Sequence, residues 1–382
     1  MSAGSGAALE AVRYGASELA RAGAVLSVDL DAVRANYRLL GAQAPRAACA
    51  AVLKADAYGL GMERVAPALA REGCRVFFTA HVAEGMRLRQ LVPEHCAIYV
   101  LHGPPPGTAP DFYQYDLIPV LNDPGQLREW RAAARQLGRR LPAAIQLDTG
   151  MSRMGMAPAE LAAESAKPDW LSGLDLKLVM SHLACADEAG HPMNAGQRRR
   201  FERLREVFPG VPASLANSSG VFLGPAFHYD LLRPGAALYG INPQPDQPNP
   251  LRQAVQLAAR IVQVREIAEG AAVGYGARWV APGPRRIATI ALGYADGWLR
   301  SLSGRGQAFV DGVAAPFAGT VSMDSITLDV SGLPAERVAP GRLVDLLCAQ
   351  QDLDAVARDA GSIGYELLTR LGGRFHRRYL GA

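Results

Sequence analysis

Short apolar segments alternate with longer amphipathic ones from about residue 25 to residue 235, and this alternation restricts the fold more than any other feature. Buried strands that alternate with helices predict a parallel sheet, because each helix returns the chain to the start of the next strand. About eight such repeats in some 220 residues predict an α/β fold with a closed, TIM-like (β/α)8 barrel. An open doubly wound sheet is the alternative, but no GxGxxG sequence follows the first predicted strand.

The predicted strands are Val25–Leu30, Ala47–Leu53, Val76–Thr79, Ala97–Leu101, Leu117–Leu121, Pro142–Leu147, Leu176–Ser181, Ala213–Ala216 and Tyr229–Leu232. After the Pro-rich segment Pro243–Pro248, which has the composition of a linker, the pattern becomes mainly strand-like. There, Asp311-Gly312 between apolar residues predicts a two-residue type I′ hairpin turn.

We therefore expect three parts. Residues 1–22 form an N-terminal extension, in which Ala8–Leu19 is a predicted helix. Residues 23–245 form the N-terminal barrel, and residues 246–382 form a C-terminal, mainly β domain with helices near Leu353 and Tyr365.

Composition excludes several classes of protein. Of 382 residues, 49% are apolar and 20% are charged, as in globular proteins, and the small net charge of +4 argues against a nucleic-acid partner. No apolar run approaches the roughly 18 residues of a membrane span, and no basic segment of a secretory signal opens the chain. We expect a cytoplasmic protein with reduced thiols. We expect no metal site, because no second ligand pair complements His182, Cys185 and His191. Its five cysteines are Cys49, Cys74, Cys96, Cys185 and Cys348.

Lys54 stands at the carboxyl end of a buried predicted strand, and a small Gly-rich turn follows it before a helix at about Met62–Arg71. An amine in this position is suited to form a Schiff base, because burial or a neighbouring cation helps it to lose its proton. A lysine that extends from the strand end into solvent is the alternative.

Other polar side chains also follow predicted strands, and the carboxyl ends of barrel strands form the usual active-site face. They are Arg153, His182, Asn217, Ser218 and Arg233, the last followed by Gly235. Each has a structural alternative, since Arg153 can pair with Asp148, His182 can be a core histidine and Ser218 can cap a helix.

Two loops rich in small residues, 217–220 and 233–236, follow the last two predicted strands. Loops at this place in barrels often bind phosphate, and small residues let a phosphate approach the backbone N–H groups. Together with Lys54, a phosphate site predicts pyridoxal phosphate as the cofactor.

With these residues in place, the sequence resembles a known family, the alanine racemases, which are barrel-type (fold-type III) pyridoxal-phosphate enzymes. The resemblance covers about Val25–Arg378 and implies an isomerase that interconverts L-alanine and D-alanine, supplying D-alanine for uses such as peptidoglycan. The motifs that carry it, in the family's order, are Ala51–Gly59, Asp148–Gly155, Ser181–Ala184, Asn217-Ser218, Arg233–Gly240, Gly274–Ala277, Leu292–Gly297 and Gly319–Asp324.

The resemblance implies a homodimer and a two-base mechanism. Lys54 would hold the cofactor covalently and remove the Cα proton of D-alanine, whereas Tyr275 of the partner subunit would act on L-alanine with the support of His182. Both bases must have lowered pKa values, since the reference values are about 10.4 for lysine and about 10 for tyrosine. Arg233 would face the pyridine nitrogen; its guanidinium keeps its proton, so the ring would stay unprotonated and other pyridoxal reactions would be disfavoured.

The resemblance also implies binding roles. The residues that would bind the cofactor phosphate are Tyr58, Ser218, Gly235 and Ala236. Arg153 would bind the phenolic oxygen of the cofactor and the substrate carboxylate, which the backbone N–H of Met323 of the partner subunit would also bind. Tyr294 and Arg300 would line the entry corridor.

Three positions depart from the commonest family pattern. Gln146 replaces a lysine that is carbamylated in many members, Met180 replaces a tyrosine, and Gly373 falls near a usual phosphate-binding tyrosine. Two other functions stay open, a broader-specificity amino-acid racemase and a non-catalytic pyridoxal-phosphate carrier. Carriers resemble the barrel alone, so the mainly β part argues against the second, and Arg233 argues against a decarboxylase.

Overall fold

The computed structural model describes residues 16–381, and the chain divides into two compact units. One unit consists of residues 30–252 and the other of residues 253–381 with the described residues before 30, which include helix α1 (Ala16–Arg21) and strand β1 (Ala24–Asp29). Most of the helix predicted at Ala8–Leu19 lies outside the described residues. No helix within residues 16–381 is both long enough and apolar enough to cross a membrane.

Residues 30–252 form the parallel barrel. Seven of its strands lie side by side in chain order: β3 (Ala51–Val52), β4 (Val76–Thr79), β5 (Ala97–Val100), β6 (Ile118–Leu121), β7 (Leu141–Gln146), β8 (Leu174–Met180) and β9 (Ala213–Ser214). Strand β10 (Leu231–Leu232) closes the ring by pairing with β2 (Ala48–Cys49), which leads directly into β3. On its other side, the Arg233 N–H donates to the Ala216 carbonyl at 2.9 Å. The closed parallel barrel predicted from the sequence is confirmed.

Helices connect these strands: α2 (Leu30–Ala42), α3 (Met62–Arg71), α4 (Val82–Arg89), α5 (Ala109–Gln114), α6 (Pro124–Leu137), α7 (Pro158–Ser165) and α8 (Pro192–Arg205). Helix α6 begins after Asp123, whose carboxylate accepts the N–H groups of Gly125 and Gln126, as an N-cap does. Helices α5 and α7 were not predicted from the sequence and have only six and eight residues. Asn36 of α2 donates to the carbonyl of Leu238 at 3.1 Å. Because Leu238 follows β10, the last barrel strand, α2 occupies the position of the helix that would come after that strand.

Strand β1, which the sequence analysis counts with the barrel, pairs in the other unit. It lies antiparallel to β11 (Val255–Ile267) and parallel to β19 (His376–Leu380). Five of its six residues are buried, which is the pattern of a strand covered on both faces, and this pattern does not specify the sheet to which a strand belongs. The barrel still has eight strands, because residues 48–52 supply its first.

The other unit is mainly β, as predicted. Its further strands are β12 (Ala272–Val273), β13 (Trp279–Val280), β14 (Arg285–Ile290), β15 (Gln307–Val310), β16 (Val313–Pro316), β17 (Ile326–Asp329) and β18 (Leu343–Leu347). The predicted hairpin is confirmed, since Val310 pairs with Val313 and the turn residues Asp311 and Gly312 have φ values of 49° and 81°. Helices α9 (Leu353–Ala360) and α10 (Gly364–Arg370) follow β18.

Candidate active site

Lys54 lies two residues after the end of β3 and opens a turn with an unusual backbone. The four residues from Ala55 to Tyr58 have φ values between 53° and 56°, the left-handed region that costs about 1–2 kcal/mol for a residue with a side chain. The Ala57 N–H donates to the Leu53 carbonyl at 2.9 Å, and the Gly59 N–H donates to the Ala55 carbonyl at 2.7 Å. Backbone strain of this kind concentrates at functional sites, where surrounding contacts maintain it.

The Lys54 amine is partly buried beside another cation. Burial lowers the pKa of Lys54, and the positive charge of Arg153 lowers it further, whereas the carboxylate of Glu84 opposes both effects. The amine therefore loses its proton more readily than an exposed lysine does, as a catalytic base or a covalent cofactor ligand requires.

His182 and Arg233 lie in the same region of the barrel. Burial lowers the pKa of His182 to about 3, and the charges of Arg233, Arg153 and Lys54 act in the same direction, so its imidazole is neutral at ordinary pH. Arg233 is buried, and its guanidinium donates to the Ser181 carbonyl at 2.5 Å and to the Ser214 hydroxyl. Burial lowers the pKa of Arg233 to about 9, which leaves it charged at neutral pH.

Ser218 joins the two small-residue loops. Its hydroxyl oxygen accepts the N–H groups of Gly235 at 3.0 Å and Ala237 at 3.2 Å, and it does not cap the following 3₁₀ turn. Tyr58 is also buried here, and a Cβ atom on Gly235 would lie 2.2 Å from its hydroxyl oxygen. Tyr58, Ser218 and Gly235 therefore line one small cradle. Ala236, the next residue in the chain, is buried as well.

A buried network that the sequence did not predict contacts the backbone of His182. Gln197 of α8 donates to the His182 carbonyl at 2.8 Å and to the Thr149 hydroxyl at 3.0 Å, and its side-chain oxygen accepts the Ala184 N–H at 2.9 Å. Gln197 precedes three arginines in the sequence, a pattern typical of a solvated helix face, so no local signal distinguishes it. The network ties the loop after β7, which carries Arg153, to the loop after β8, which carries His182.

The structural alternative for Arg153 is decided by local contacts. Asp148 accepts the N–H groups of Gly150 at 2.8 Å and Ser152 at 3.1 Å, so its carboxylate shapes the loop instead of pairing with Arg153. Within residues 16–381, the exposed Arg153 guanidinium makes no hydrogen bond, either to Asp148 or to the buried Gln146.

The remaining candidate residues belong to the other unit. Tyr275 is 75% exposed, Met323 is 53% exposed and Tyr294 is 40% exposed; Arg300 is exposed as well. The segment at 320–323 lies beside both tyrosine-bearing turns, because the Thr320 hydroxyl donates to the Tyr275 carbonyl at 3.2 Å and the Tyr294 N–H donates to the Ser322 carbonyl at 3.0 Å. Three large side chains are thus gathered on one exposed face of this unit.

Comparisons with known proteins agree with this arrangement. The family model described as alanine racemase, N-terminal domain, matches residues 28–243, and the model described as alanine racemase, C-terminal domain, matches residues 254–379. The chain is 55% identical over 362 residues to the catabolic alanine racemase of Mesorhizobium japonicum, covering 95% of this chain and 94% of the relative. It is 50% identical over 358 residues to the alanine racemase of Methylobacterium nodulans, covering 94% and 96%.

Solved structures give the same result. The alanine racemase of Bartonella henselae with covalently bound pyridoxal phosphate superposes with a TM-score of 0.91 at 39% identity, covering 94% of this chain and 100% of that one. The biosynthetic alanine racemase of Pseudomonas aeruginosa superposes with a TM-score of 0.87 at 38% identity, covering 94% and 99%. Both family models match, and a relative at 55% identity covers 95% of the chain, so this chain belongs to the alanine racemase family.

Proposed function

We propose that this protein is an alanine racemase that interconverts L-alanine and D-alanine with pyridoxal phosphate as its cofactor. The observation that carries the proposal is the position of the Lys54 amine at the carboxyl end of a barrel strand. Burial and the charge of Arg153 lower the pKa of this amine. The names of the relatives and the covalently bound cofactor in the Bartonella henselae structure support it.

The residues of the barrel fit this cofactor. The Ser218 oxygen accepts two backbone N–H groups, which leaves its own proton free to donate to a phosphate oxygen. A Cβ atom at residue 235 would lie 2.2 Å from the Tyr58 hydroxyl oxygen, so glycine at this position lets that hydroxyl approach the loop backbone beside the Ser218 hydroxyl. Lys54 would hold the group covalently. When bound, pyridoxal phosphate withdraws electrons from the substrate Cα and makes its proton acidic.

We assign Arg233 to the ring nitrogen of the cofactor. Its guanidinium is buried and charged at neutral pH, and it already donates to Ser181 and Ser214, so at neutral pH it keeps its protons and has no group that accepts another. A neighbour of this kind keeps the ring nitrogen unprotonated and limits electron withdrawal. This limit favours simple return of the proton over the other reactions of the cofactor.

Two bases on opposite faces of Cα are required to invert it. Lys54 would exchange the proton of D-alanine, and Tyr275 of the partner subunit would exchange that of L-alanine. A homodimer is supported by the large exposed side chains of Tyr275, Tyr294 and Met323, since exposed apolar groups that lie together mark interaction surfaces.

Substrate binding is assigned to both subunits. Arg153, which has no hydrogen-bond partner in the described part of the chain, would bind the substrate carboxylate and the phenolic oxygen of the cofactor. The backbone N–H of Met323, which donates no hydrogen bond among the described residues, would bind the same carboxylate from the partner subunit. Tyr294 and Arg300 would line the entry to the site.

We also propose that the enzyme is cytoplasmic and supplies D-alanine, for example for peptidoglycan. Its five free cysteines suit a reducing compartment.

The test compares wild-type protein with Lys54→Ala and with Lys177→Ala, a lysine on β8 that pairs with Asp175. We expect wild type and the Lys177 variant to show the visible absorbance of the bound cofactor and to convert L-alanine to D-alanine, and the Lys54 variant to do neither. A yellow wild type that racemises other amino acids better would indicate the broader racemase, and one that racemises nothing would indicate the carrier. A wild type that binds no pyridoxal phosphate would contradict the proposal.

A further inference from the structure

Helix α4 presents two charged side chains, Glu84 and Arg87, to the left-handed turn that follows Lys54. They are three positions apart and therefore lie on the same face of the helix. Glu84 Oε1 accepts the Ala55 N–H at 2.6 Å, and an Arg87 nitrogen lies 3.2 Å from Asp56 Oδ1. The helix thus contacts the first two residues of the turn.

The other carboxylate oxygen of Glu84 anchors the side chain to its own helix. Glu84 Oε2 accepts the N–H groups of Ala80 at 2.8 Å and His81 at 3.1 Å, at the start of α4. One carboxylate therefore joins the start of α4 to the turn after Lys54. An amide at this position would offer only one accepting oxygen to three N–H donors and would turn its own NH₂ group toward one of them.

The turn needs such a contact, because its conformation is unfavourable on its own. Four successive non-glycine residues in the left-handed region persist only where surrounding bonds maintain them. Among the described residues, the carboxylate that bonds to the backbone of this turn beside Lys54 is that of Glu84, which accepts the Ala55 N–H. Hydrogen bonds to charged acceptors are stronger than hydrogen bonds to neutral acceptors.

We propose that Glu84 is a positioning residue of the reaction. By holding the Ala55 N–H, it maintains the left-handed turn and so directs the adjacent Lys54 amine toward the cofactor and the substrate Cα. The inference rests on the proposed function, in which Lys54 holds the cofactor and moves the proton.

Glu84 also acts on Lys54 through its charge. The charged or titratable groups that face Lys54 are Arg153 after β7, His102 after β5, His182 after β8 and Glu84 on α4. Glu84 is the acidic member of this set, and its charge raises the pKa of Lys54 against burial and Arg153. Removing the charge lowers this pKa, so the acid limb of the pH profile moves to lower pH.

The first experiment compares Glu84→Gln with Glu160→Gln in the full-length holoenzyme. Glu160 is a matched control, because it accepts the Ala157 N–H at 2.8 Å at the same position of α7 and is not among the groups that act on Lys54. We measure kcat and its pH profile, the thermal midpoint, and the affinity of the cofactor-free protein for pyridoxal phosphate by absorbance titration.

We expect Glu84→Gln to lower kcat by about 10- to 100-fold, because small displacements of a reacting group have effects of this size. It should also weaken cofactor binding and move the acid limb to lower pH, whereas Glu160→Gln changes the thermal midpoint alone. Glu84→Asp retains the charge and can still cap α4, but it is one methylene too short to reach Ala55. It should therefore lower kcat and cofactor affinity without moving the acid limb.

If Glu84→Gln does not accumulate as folded protein, Glu84→Asp decides the test. Values of kcat and cofactor affinity within about twofold of those of Glu160→Gln, in whichever Glu84 variant folds, would overturn the inference. A wild type that forms no D-alanine would instead overturn the proposed function, so the two failures are distinguishable.

Discussion

The hydroxyl oxygen of Tyr58 lies so close to Gly235 that a Cβ atom at residue 235 would come within 2.2 Å of it. Carbon atoms of side chains do not approach other heavy atoms this closely, so only glycine is compatible with the present position of Tyr58. The contact joins the turn after the first barrel strand to the loop after the last one, at the cradle assigned to the cofactor phosphate.

Gly235→Ala should weaken binding of pyridoxal phosphate, because the added methyl group displaces Tyr58. The crowding that the methyl group causes costs about 1–3 kcal/mol in packed interiors. Absorbance titration of the cofactor-free protein measures the affinity. Gly196→Ala in α8, where a Cβ atom meets nothing within 4 Å, is the control. Equal affinities of the two variants would contradict the prediction.

Arg233→Lys should destabilise the protein and lower kcat although it retains the charge. A lysine cannot bond to both the Ser181 carbonyl and the Ser214 hydroxyl in the guanidinium geometry, and a buried polar group without a partner costs about 1–3 kcal/mol. Urea unfolding measures the free energy, with the exposed Arg199→Lys on α8 as the control. Wild-type stability in the Arg233 variant would show that these bonds contribute little.

Stability should fall in acid partly because of His182. Its pKa is about 3 in the native protein, against a reference value of about 6.5 in an unfolded chain. Between these values the unfolded chain takes up a proton that the native protein does not, so the free energy of unfolding decreases as pH falls from about 6.5 toward 3. His182→Gln should reduce this decrease, by a few kcal/mol at most.

Urea unfolding at several pH values tests this prediction, with His95→Gln, a change at an exposed histidine, as the control. The slope of stability against pH should become shallower in the His182 variant and stay unchanged in the His95 variant. Parallel slopes in all three proteins would show that His182 does not remain neutral in the native state.

Tyr275→Phe should separate the two proton transfers. The change removes the proposed base for L-alanine but leaves Lys54, so exchange of the Cα hydrogen in D₂O should continue from D-alanine and nearly stop from L-alanine. Proton NMR of each enantiomer follows the exchange directly. Tyr113→Phe, at another partly exposed tyrosine, should exchange both enantiomers at the wild-type rate. Loss of exchange from both enantiomers in the Tyr275 variant would argue against separate bases.

The sequence by itself determined the barrel and much of its polar face. Alternating buried and amphipathic segments specify parallel strands with helical returns, and a closed ring brings the strand ends together whatever the details of packing. For this reason Lys54, Arg153, His182 and Arg233, which are far apart in the chain, could be grouped before any coordinates were known. Asp311-Gly312 likewise specified its hairpin, because that turn depends on local backbone preferences.

Only the tertiary structure decided which groups hold these side chains in place. The burial pattern of β1 shows that it is covered on both faces but does not identify its neighbours, which are separated from it by more than 200 residues. The left-handed turn after Lys54 contains ordinary residues, and its Ala55 N–H donates to the carboxylate of Glu84 on a helix 29 positions further along the chain. Gln197 lies beside arginines in the sequence yet is fully buried in the fold. In each case the deciding contact joins residues that are distant in the chain. Local sequence patterns reflect the preferences of neighbouring residues and therefore do not predict such contacts.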